Sequence, residues 1–397
     1  MEAYFVDWFS VILRWLHLIT GIAWIGASLH FAWLDNSLEE PDEKKKAQGI
    51  KGDLWSIHGG GIYNFNKYAM APPTWPSVLH WSKWEAYTTW ITGTLLMVAV
   101  YYLQAQSYLV GSGKWIVNPN VGIAASLGFL LSGMVVYESL VRSPLRHQTM
   151  SFAGLLMLFI GLQCWLATKL FSDRAAFLHV GALMGTIMAG NVFLGIIPAQ
   201  KKFVKAVQAG QDPDPMPAAQ AKQRSVHNNY FTLPVLFCMI SNHYPFLYGH
   251  TYNWVILIWI IAITAYARHF FNLRHRGIVD YSILLKAFVA FLLLSGALGY
   301  ERYEQQRTQV AMDVTDGAAF ALIDAHCAVC HSQTPTQPGF VAPPAGILMD
   351  DREAILQSAA QMRTAVQTDY MPLGNLTGMT VNERAEFISW LGRKANL

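Results

Sequence analysis

Apolar stretches of about 18 or more residues recur through the first 300 positions of the chain, and short polar segments separate them. Stretches of this length are typical of helices that cross a lipid bilayer. The pattern predicts eight membrane spans that alternate with polar loops. Their approximate bounds are 8–34, 86–103, 120–140, 151–170, 177–198, 230–248, 252–271 and 281–299.

The pattern changes after position 300, because residues 301–397 are mostly polar. The sequence therefore predicts an eight-helix membrane domain over 1–300, a charged linker over 301–320 and a small domain over 321–397. The predicted fold class is all-α, a polytopic membrane bundle with a small C-terminal domain. The N-terminus lacks a basic region and a small-residue cleavage site, so its apolar run is predicted to be a retained first helix.

Composition and charge agree with this organisation. The chain is 53% hydrophobic and 13% charged, whereas soluble domains carry about 25% charged residues. Its formal net charge is only +3, and the basic residues lie in short loops, which argues against a nucleic-acid partner. The lipid bilayer is the partner that the composition implies.

Lysine and arginine are distributed unevenly between alternate loops. One set of loops holds sixteen of them and the other set holds three, Lys114, Lys169 and Arg174. Because loops rich in lysine and arginine stay in the cytoplasm, the N-terminus and everything after the eighth span are predicted to lie outside, on the periplasmic side of a bacterial inner membrane.

The tail contains the sequence Cys327-Ala-Val-Cys330-His331. A C-x-x-C-H motif is typical of covalent c-type haem attachment. The two thiols would bond the haem, and His331 would be the proximal iron ligand. The alternative is a zinc knuckle, but the chain has no second cysteine pair. Haem is attached outside the bacterial cytoplasm, which agrees with the orientation predicted from charge, so we expect a small periplasmic cytochrome c domain.

A methionine is the usual second ligand of such a haem and raises its reduction potential. Met371 stands directly before Pro372 in "TDYMPLGNLTGMT", where the fixed φ of proline would hold the loop open over the haem. Met371 is the predicted second iron ligand, and Met379 is the alternative.

Ionisable residues inside the predicted spans indicate a second functional region, because they are costly in a bilayer and usually functional. His17, His179 and His243 are predicted at similar depths near the outer side, and Arg14 shares a helix face with His17. Two of these histidines could hold a haem b whose propionates meet Arg14. Alternatively, each histidine bonds only a neighbouring helix.

A second polar cluster is predicted on the cytoplasmic side. His58 and His227 occupy matching positions in a weak internal repeat, "SIHGGGIYNF" (56–65) and "SVHNNYFTLP" (225–234), and are candidate proton acceptors. Asn228, Arg268 and Glu85 are candidate substrate contacts, since amides and cations suit a small planar anion. Ordinary interfacial anchoring is the competing interpretation.

Several segments together make the chain recognisable, namely "LRWLHLITGIAWIGASLHFAWLD", "IHGGGIYNFNKY", "LHWSKWEAYTTW", "SVHNNYFTLPVLFCMISNHYP" and the CAVCH tail. The sequence resembles the PuuD-type bacterial membrane urate oxidases over nearly its whole length. The resemblance implies an eight-helix domain fused to a periplasmic cytochrome c. It also implies oxidation of urate to 5-hydroxyisourate, with electrons leaving through the haem to a respiratory acceptor such as a terminal oxidase.

Two other functions fit the same layout. A respiratory module that oxidises quinol or another small molecule would use the same haem arrangement. A solute carrier with a redox-sensing tail would be favoured by inverted repeats, whereas the weak repeat here is parallel.

Overall fold

Long helices that run side by side dominate the structure, which is a computed structural model. It describes residues 2–111, 113–274, 277–308, 314–367 and 370–394. In the membrane domain the helices are α1 (Glu2–Ser37), α2 (Glu43–Ala47), α3 (Trp84–Leu96), α4 (Ala105–Tyr108), α5 (Pro119–Arg142), α6 (Thr149–Leu170), α7 (Asp173–Gly190), α8 (Ile197–Gln208), α9 (Pro215–Ile240), α10 (Pro245–Tyr248), α11 (Asn253–Arg274) and α12 (Tyr281–Thr308).

Each of the eight predicted spans corresponds to a long helical segment. In the described part of the chain, six of these segments are long and apolar enough to cross a membrane. The two others have local reasons for falling short. Helix α3 has 13 residues before its geometry changes, and the first half of α9 is polar (Gln220, Lys222, Gln223, Arg224). The predicted all-α polytopic fold class is confirmed.

Two of the long helices continue into a π-helical turn, Met97–Tyr102 after α3 and Asn191–Ile196 after α7. A π-helical turn inserts a residue into the helical repeat and is found most often at functional sites. The second turn begins at Asn191, whose side chain is fully buried. This places a polar amide in the middle of the bundle.

Helix α7 lies in the interior of the bundle, where it contacts α5, α6 and α9. A helix that is apolar all round is typical of such a position, and Leu183 and Ile187 are fully buried. Close packing depends on a small residue, because a Cβ on Gly181 would lie 2.5 Å from Cβ of Cys238 on α9. The polar groups that α7 carries are therefore shielded from water.

The loop after α1 forms a β-hairpin that the sequence did not predict. Strand β1 (Ile50–His58) pairs with β2 (Gly61–Tyr68) in antiparallel register, with His58 opposite Gly61. The turn needs Gly59 and Gly60, which have φ values of +57° and +81°. The hairpin packs against the end of α1, where Phe65 contacts the His30 ring.

The C-terminal domain is built from α13 (Asp316–Ile323), α14 (Arg352–Gln357), α15 (Ala359–Gln367) and α16 (Val381–Lys394). Its core contains the fully buried Phe387 and Trp390, and the Trp390 indole donates to Asp316 at 2.8 Å. The predicted linker over 301–320 is largely helical at its ends, since α12 continues to Thr308 and α13 begins at Asp316.

The C-terminal domain contacts the membrane domain at α4. The Ser107 hydroxyl on α4 donates to the Pro338 carbonyl at 2.8 Å. Gly339 fits this contact because a Cβ there would lie 2.5 Å from the Ser107 oxygen. The domain thus lies at the end of the bundle where the lysine-poor loops are found, including the loop that carries Lys114.

Candidate active site

A network of buried polar side chains joins α5 and α9 to the π-helical turn after α7. The Arg224 guanidinium on α9 donates to both carboxylate oxygens of Glu138 on α5, and its Nη2 lies 3.0 Å from Oε2. Nη1 also donates to Oδ1 of Asn191 at 2.8 Å. Arg224 is 6% exposed, so this buried cation is neutralised by an anion, as burial of a charge requires.

The network continues through Asn191 to Tyr137 and His227. Asn191 Nδ2 donates to the Tyr137 hydroxyl oxygen at 3.1 Å, and that oxygen lies 2.8 Å from His227 Nδ1. The orientation of the Asn191 amide is fixed because its Oδ1 accepts from Arg224. The Tyr137 oxygen therefore accepts from Asn191, and its proton is left to donate to Nδ1. The neutral His227 ring then carries its own proton on Nε2.

This tautomer changes the role expected of His227. Its Nε2 has no hydrogen-bond partner in the described part of the chain, and it presents an N–H group. A general base at Nε2 would need the proton on Nδ1, which would leave the buried Tyr137 hydroxyl without an acceptor. The sequence predicted a proton acceptor at His227, whereas the hydrogen bonds favour a donor. Phe152 stacks on the ring at 4.6 Å and fixes its plane.

Asn228 belongs to the same network, and each end of its amide already forms a hydrogen bond within the protein. Its Oδ1 accepts from Asn191 at 2.8 Å, and its Nδ2 donates to the Met188 carbonyl at 3.1 Å. Glu85, another predicted substrate contact, is half-buried in the first turn of α3. No described contact joins its side chain to the network.

Arg268 on α11 is a buried arginine like Arg224, but it has no described ion pair. It is 5% exposed, and its guanidinium has neither a hydrogen bond nor an ion pair within the described ranges; its Nε is buried and unpartnered. Its described interactions are with the Phe271 ring, 5.7 Å from Cζ, and with the Tyr230 hydroxyl, which acts on it electrostatically without a hydrogen bond. One helical turn further on, both Nδ2 and Oδ1 of Asn272 are also buried without a partner.

A tyrosine and a histidine lie between these two regions. The Tyr230 hydroxyl on α9 is 2.6 Å from Nδ1 of His269 on α11, and the two rings stack with centroids 6.0 Å apart. Tyr230 follows His227 by three residues, so the two lie within one turn of α9. Helix α9, which carries Arg224, therefore contacts α11 through Tyr230 and His269, next to Arg268.

His17 on α1 is held by the neighbouring helix α3. Its Nδ1 donates to the Thr89 carbonyl at 3.1 Å, which leaves Nε2 without a proton and without a partner in the described structure. The two helices pack closely at this point, because a Cβ on Gly93 would lie 2.9 Å from the His17 ring. Arg14 is exposed, and its Nε donates to Ser10 at 3.2 Å.

His179 on α7 has both ring nitrogens occupied. Nδ1 donates to the Ala175 carbonyl at 2.7 Å, and Nε2 accepts from the Ser126 hydroxyl at 2.7 Å. The ring is fully buried and stacks on Phe171 at 4.3 Å. It therefore has no nitrogen free for an iron. His243 is exposed in the short turn Ser241–His243, and no described contact brings it to His17 or His179.

His58 lies at the tip of the β-hairpin and is exposed. No described contact joins it to His227, which lies in the middle of α9. The two segments of the weak repeat therefore have different structures, since 56–65 forms the hairpin and 225–234 is helical. The repeat predicted from the sequence gives no structural pairing of these histidines.

The haem-attachment motif lies at the start of the C-terminal domain. Cys327 is 9% exposed, and neither Cys327 nor Cys330 forms a disulfide. His331 is buried, and its Nδ1 donates to the Ile347 carbonyl at 3.1 Å. This bond fixes the tautomer and leaves Nε2 for an iron, which is the usual arrangement of a ligating histidine. These residues fit a covalent haem.

The structure keeps both methionines as candidates for the second iron ligand. Met371 is half-buried, and its backbone is held by the Ala365 carbonyl and the Arg384 guanidinium. Met379 is 3% exposed and packs in the core of the domain. Clusters of three or more His, Cys, Asp or Glu residues with metal-binding geometry are absent from the described ranges, but a haem iron with one histidine and one methionine needs none.

Sequence reasoning missed Glu138, Tyr137, Asn191 and Asn272. It also counted Arg224 and Arg268 among the loop charges, although both lie inside helices. The sixteen-to-three split becomes fourteen to three without them, and its direction is unchanged. A usable signal existed, because Glu138 and Asn191 are polar residues within predicted spans.

Fold and site together define a polytopic helical membrane protein with a buried charged network and a C-terminal C-x-x-C-H motif. The family model described as Urate oxidase N-terminal matches residues 3–298. The chain therefore belongs to this family, which indicates an oxidoreductase of urate. No curated protein and no solved structure matches the chain.

Proposed function

We propose that this protein oxidises urate to 5-hydroxyisourate in the membrane domain and passes the electrons to a c-type haem on its C-terminal domain. The reaction balances as urate anion plus water giving 5-hydroxyisourate, two electrons and one proton. The oxygen added to the ring comes from water. The family match over residues 3–298 is the observation that carries this proposal.

The C-terminal motif supports the electron route. Cys327 and Cys330 would hold the haem covalently, and His331 would bind its iron through Nε2, with Met371 or Met379 on the other side. When bound, the haem supplies a one-electron acceptor. The Ser107 contact with Pro338 fixes the C-terminal domain at one end of the bundle, so electrons must leave the membrane domain at that end.

The charged network supports a substrate site at the other end. Tyr137 lies 18 residues after Pro119 in α5, which corresponds to about 27 Å along the helix. Electron transfer over that distance needs a carrier between the two regions. The residues proposed for a haem b fit only in part, since His17 has a free Nε2 and His179 has none. We therefore assign no step to a haem b.

The substrate-side residues have separate roles in this proposal. His227 would donate its Nε2–H to an oxygen of the substrate, and the Tyr137–Asn191–Arg224 chain would hold that ring in place. Arg268 would meet the negative charge. His58 and Glu85 are given no role, because each lies apart from the network.

Location follows from the same arrangement. We infer a multi-pass protein of the bacterial inner membrane, with the N-terminus and the C-terminal domain in the periplasm. The lysine-rich segment between α1 and α3 lies at the end of α1, whereas the C-terminal domain contacts α4 at the other end of the bundle. The electrons would pass from the haem to a periplasmic or membrane acceptor, such as a terminal oxidase.

The experiment is anaerobic mixing of urate with the oxidised, purified full-length protein. We expect the absorbance spectrum of reduced c-type haem to appear, and ¹⁸O from labelled water to enter the product. Cys327→Ala should remove the normal spectrum, whereas Cys164→Ala, at a buried cysteine outside the motif, should not. Peroxide formation with ¹⁸O incorporated from labelled O₂ would refute the proposal. Acid-acetone extraction of the same preparation would show whether a second, non-covalent haem is present.

A further inference from the structure

We propose that Arg268 and Asn272 form the site that recognises the anionic amide edge of the substrate. This inference rests on the proposed function, because it takes urate as the ligand. It adds a binding site on α11 that is separate from the Arg224 network. It also adds Asn272, a residue that the sequence pattern did not single out.

Arg268 is a buried cation without a described partner, which is costly. Arg268 is 5% exposed, and the described structure offers it no anion and no hydrogen-bond acceptor. Taking a guanidinium out of water costs several kcal/mol, and folded proteins normally recover this through a partner. Arg224 has such a partner in Glu138. The described part of the chain supplies no anion to Arg268, and we infer that its partner is a bound anion.

Asn272 adds an amide next to this cation. Residues four apart lie on the same face of a helix, so Arg268 and Asn272 point to one region. Both polar atoms of the Asn272 amide are buried without a partner. An amide offers one acceptor and two donor hydrogens, which complement a ring edge that carries N–H beside C=O. A guanidinium next to this amide adds two parallel donors for a negative oxygen.

Helix α11 packs against the part of α9 that carries His227. Tyr230 on α9 contacts His269 on α11, so α11 packs against α9 within one turn of His227. A planar ligand bound by Arg268 and Asn272 would thus lie close to the side of α9 that carries His227. A purine anion presents both a charge and several amide edges, so it fits these groups better than an inorganic anion, which has no N–H.

The experiment measures urate binding without turnover. Full-length protein reduced with dithionite has no oxidised haem to accept electrons, so radiolabelled urate should bind at equilibrium and remain unchanged. We expect Arg268→Gln to weaken binding on the order of 10- to 100-fold, as the loss of a charge-assisted bond predicts. Asn272→Ala should weaken it about 5- to 10-fold. Arg274→Gln, at an exposed arginine of the same helix, is the matched control and should bind like the unaltered protein.

The outcomes separate the two proposals. If the unaltered protein binds urate and Arg268→Gln binds it equally well, the recognition site is overturned while the proposed function stands. If the unaltered protein binds no urate, the proposed function fails and this inference fails with it. A competition experiment with inorganic phosphate completes the test. Competition by phosphate at millimolar concentration would assign the site to phosphate or a lipid headgroup and would overturn the purine assignment.

Discussion

Replacing Arg224 by glutamine tests the idea that the bundle depends on one buried ion pair. The guanidinium makes three hydrogen bonds, two to Glu138 and one to Asn191. The glutamine amide is shorter and uncharged, so Glu138 would keep only the exposed Arg142, and Oδ1 of the fully buried Asn191 would lose its charged donor. Removing one member of a buried pair costs about 3–5 kcal/mol.

The assay is unfolding of the purified protein in mixed micelles with increasing SDS, followed by tryptophan fluorescence. Because the side chain of Glu138 is 14% exposed, some solvent screening remains and we expect a loss near the lower end, about 3 kcal/mol. The double variant Arg224→Gln with Glu138→Gln should recover part of this loss, since no buried charge is then left unpaired.

Arg268→Gln is the matched comparison, since it makes the same change at a buried arginine that has no partner in the described structure. We expect no loss of stability in the absence of substrate, because the substitution removes an uncompensated charge. An equal loss in the two single variants would refute the distinction between a paired and an unpaired arginine. A double variant less stable than Arg224→Gln would refute the ion pair itself.

Three further predictions concern the C-terminal domain. Cys327→Ala should leave at most one thioether bond to the haem, and the pyridine haemochrome spectrum tests this because it reports how many haem vinyl groups are saturated; a spectrum identical to that of the unaltered protein would contradict it. Met371→Ala should keep the haem but lower its reduction potential, because a soft thioether ligand is lost, and a fall with Met379→Ala instead would transfer the role. The third prediction is loss of domain stability below about pH 4. The hydrogen bond from Trp390 holds the pKa of Asp316 below its usual range, and bonds from the Thr380 backbone do so for Glu383. A carboxyl whose pKa is lowered by folding stabilises the fold above its unfolded pKa and loses this effect as pH falls. Asp316→Asn should reduce the acid sensitivity of unfolding, and an unchanged pH profile would contradict the assignment.

Some features of the haem site followed from the sequence alone. The C-x-x-C-H motif is contiguous, so one short stretch supplies both thiols and the histidine. The sequence could not show that the Ile347 carbonyl holds Nδ1 of His331, because that contact depends on how a later loop returns to the motif. It also left Met371 and Met379 as alternatives for the second iron ligand. Burial does not decide between them, because Met379 is the more buried but Met371 is the one that precedes the proline.

In the membrane domain, the sequence could not distinguish the three candidate haem-ligand histidines. His17, His179 and His243 look alike along the sequence, since each is a polar residue in an apolar segment. Packing gives them three different surroundings. His17 keeps one nitrogen free, His179 has both bonded, and His243 is exposed. A histidine becomes a candidate ligand only if packing leaves one of its nitrogens free of hydrogen bonds. The partners of His17 and His179 on neighbouring helices lie 53 to 75 residues away in the chain.

The sequence by itself determined the number and order of the long helices and the haem motif, because hydropathy and covalent attachment are properties of neighbouring residues. Tertiary structure alone decided which buried charges are paired. Arg224 and Arg268 both stand at the polar ends of long helices, and nothing local distinguishes them. Helix α5 brings Glu138 to Arg224, while the packing of α11 brings no carboxylate within the described ranges to Arg268. Electrostatic energy depends on distances between helices, so only the packed bundle could separate an arginine that stabilises the fold from one that we propose binds the substrate.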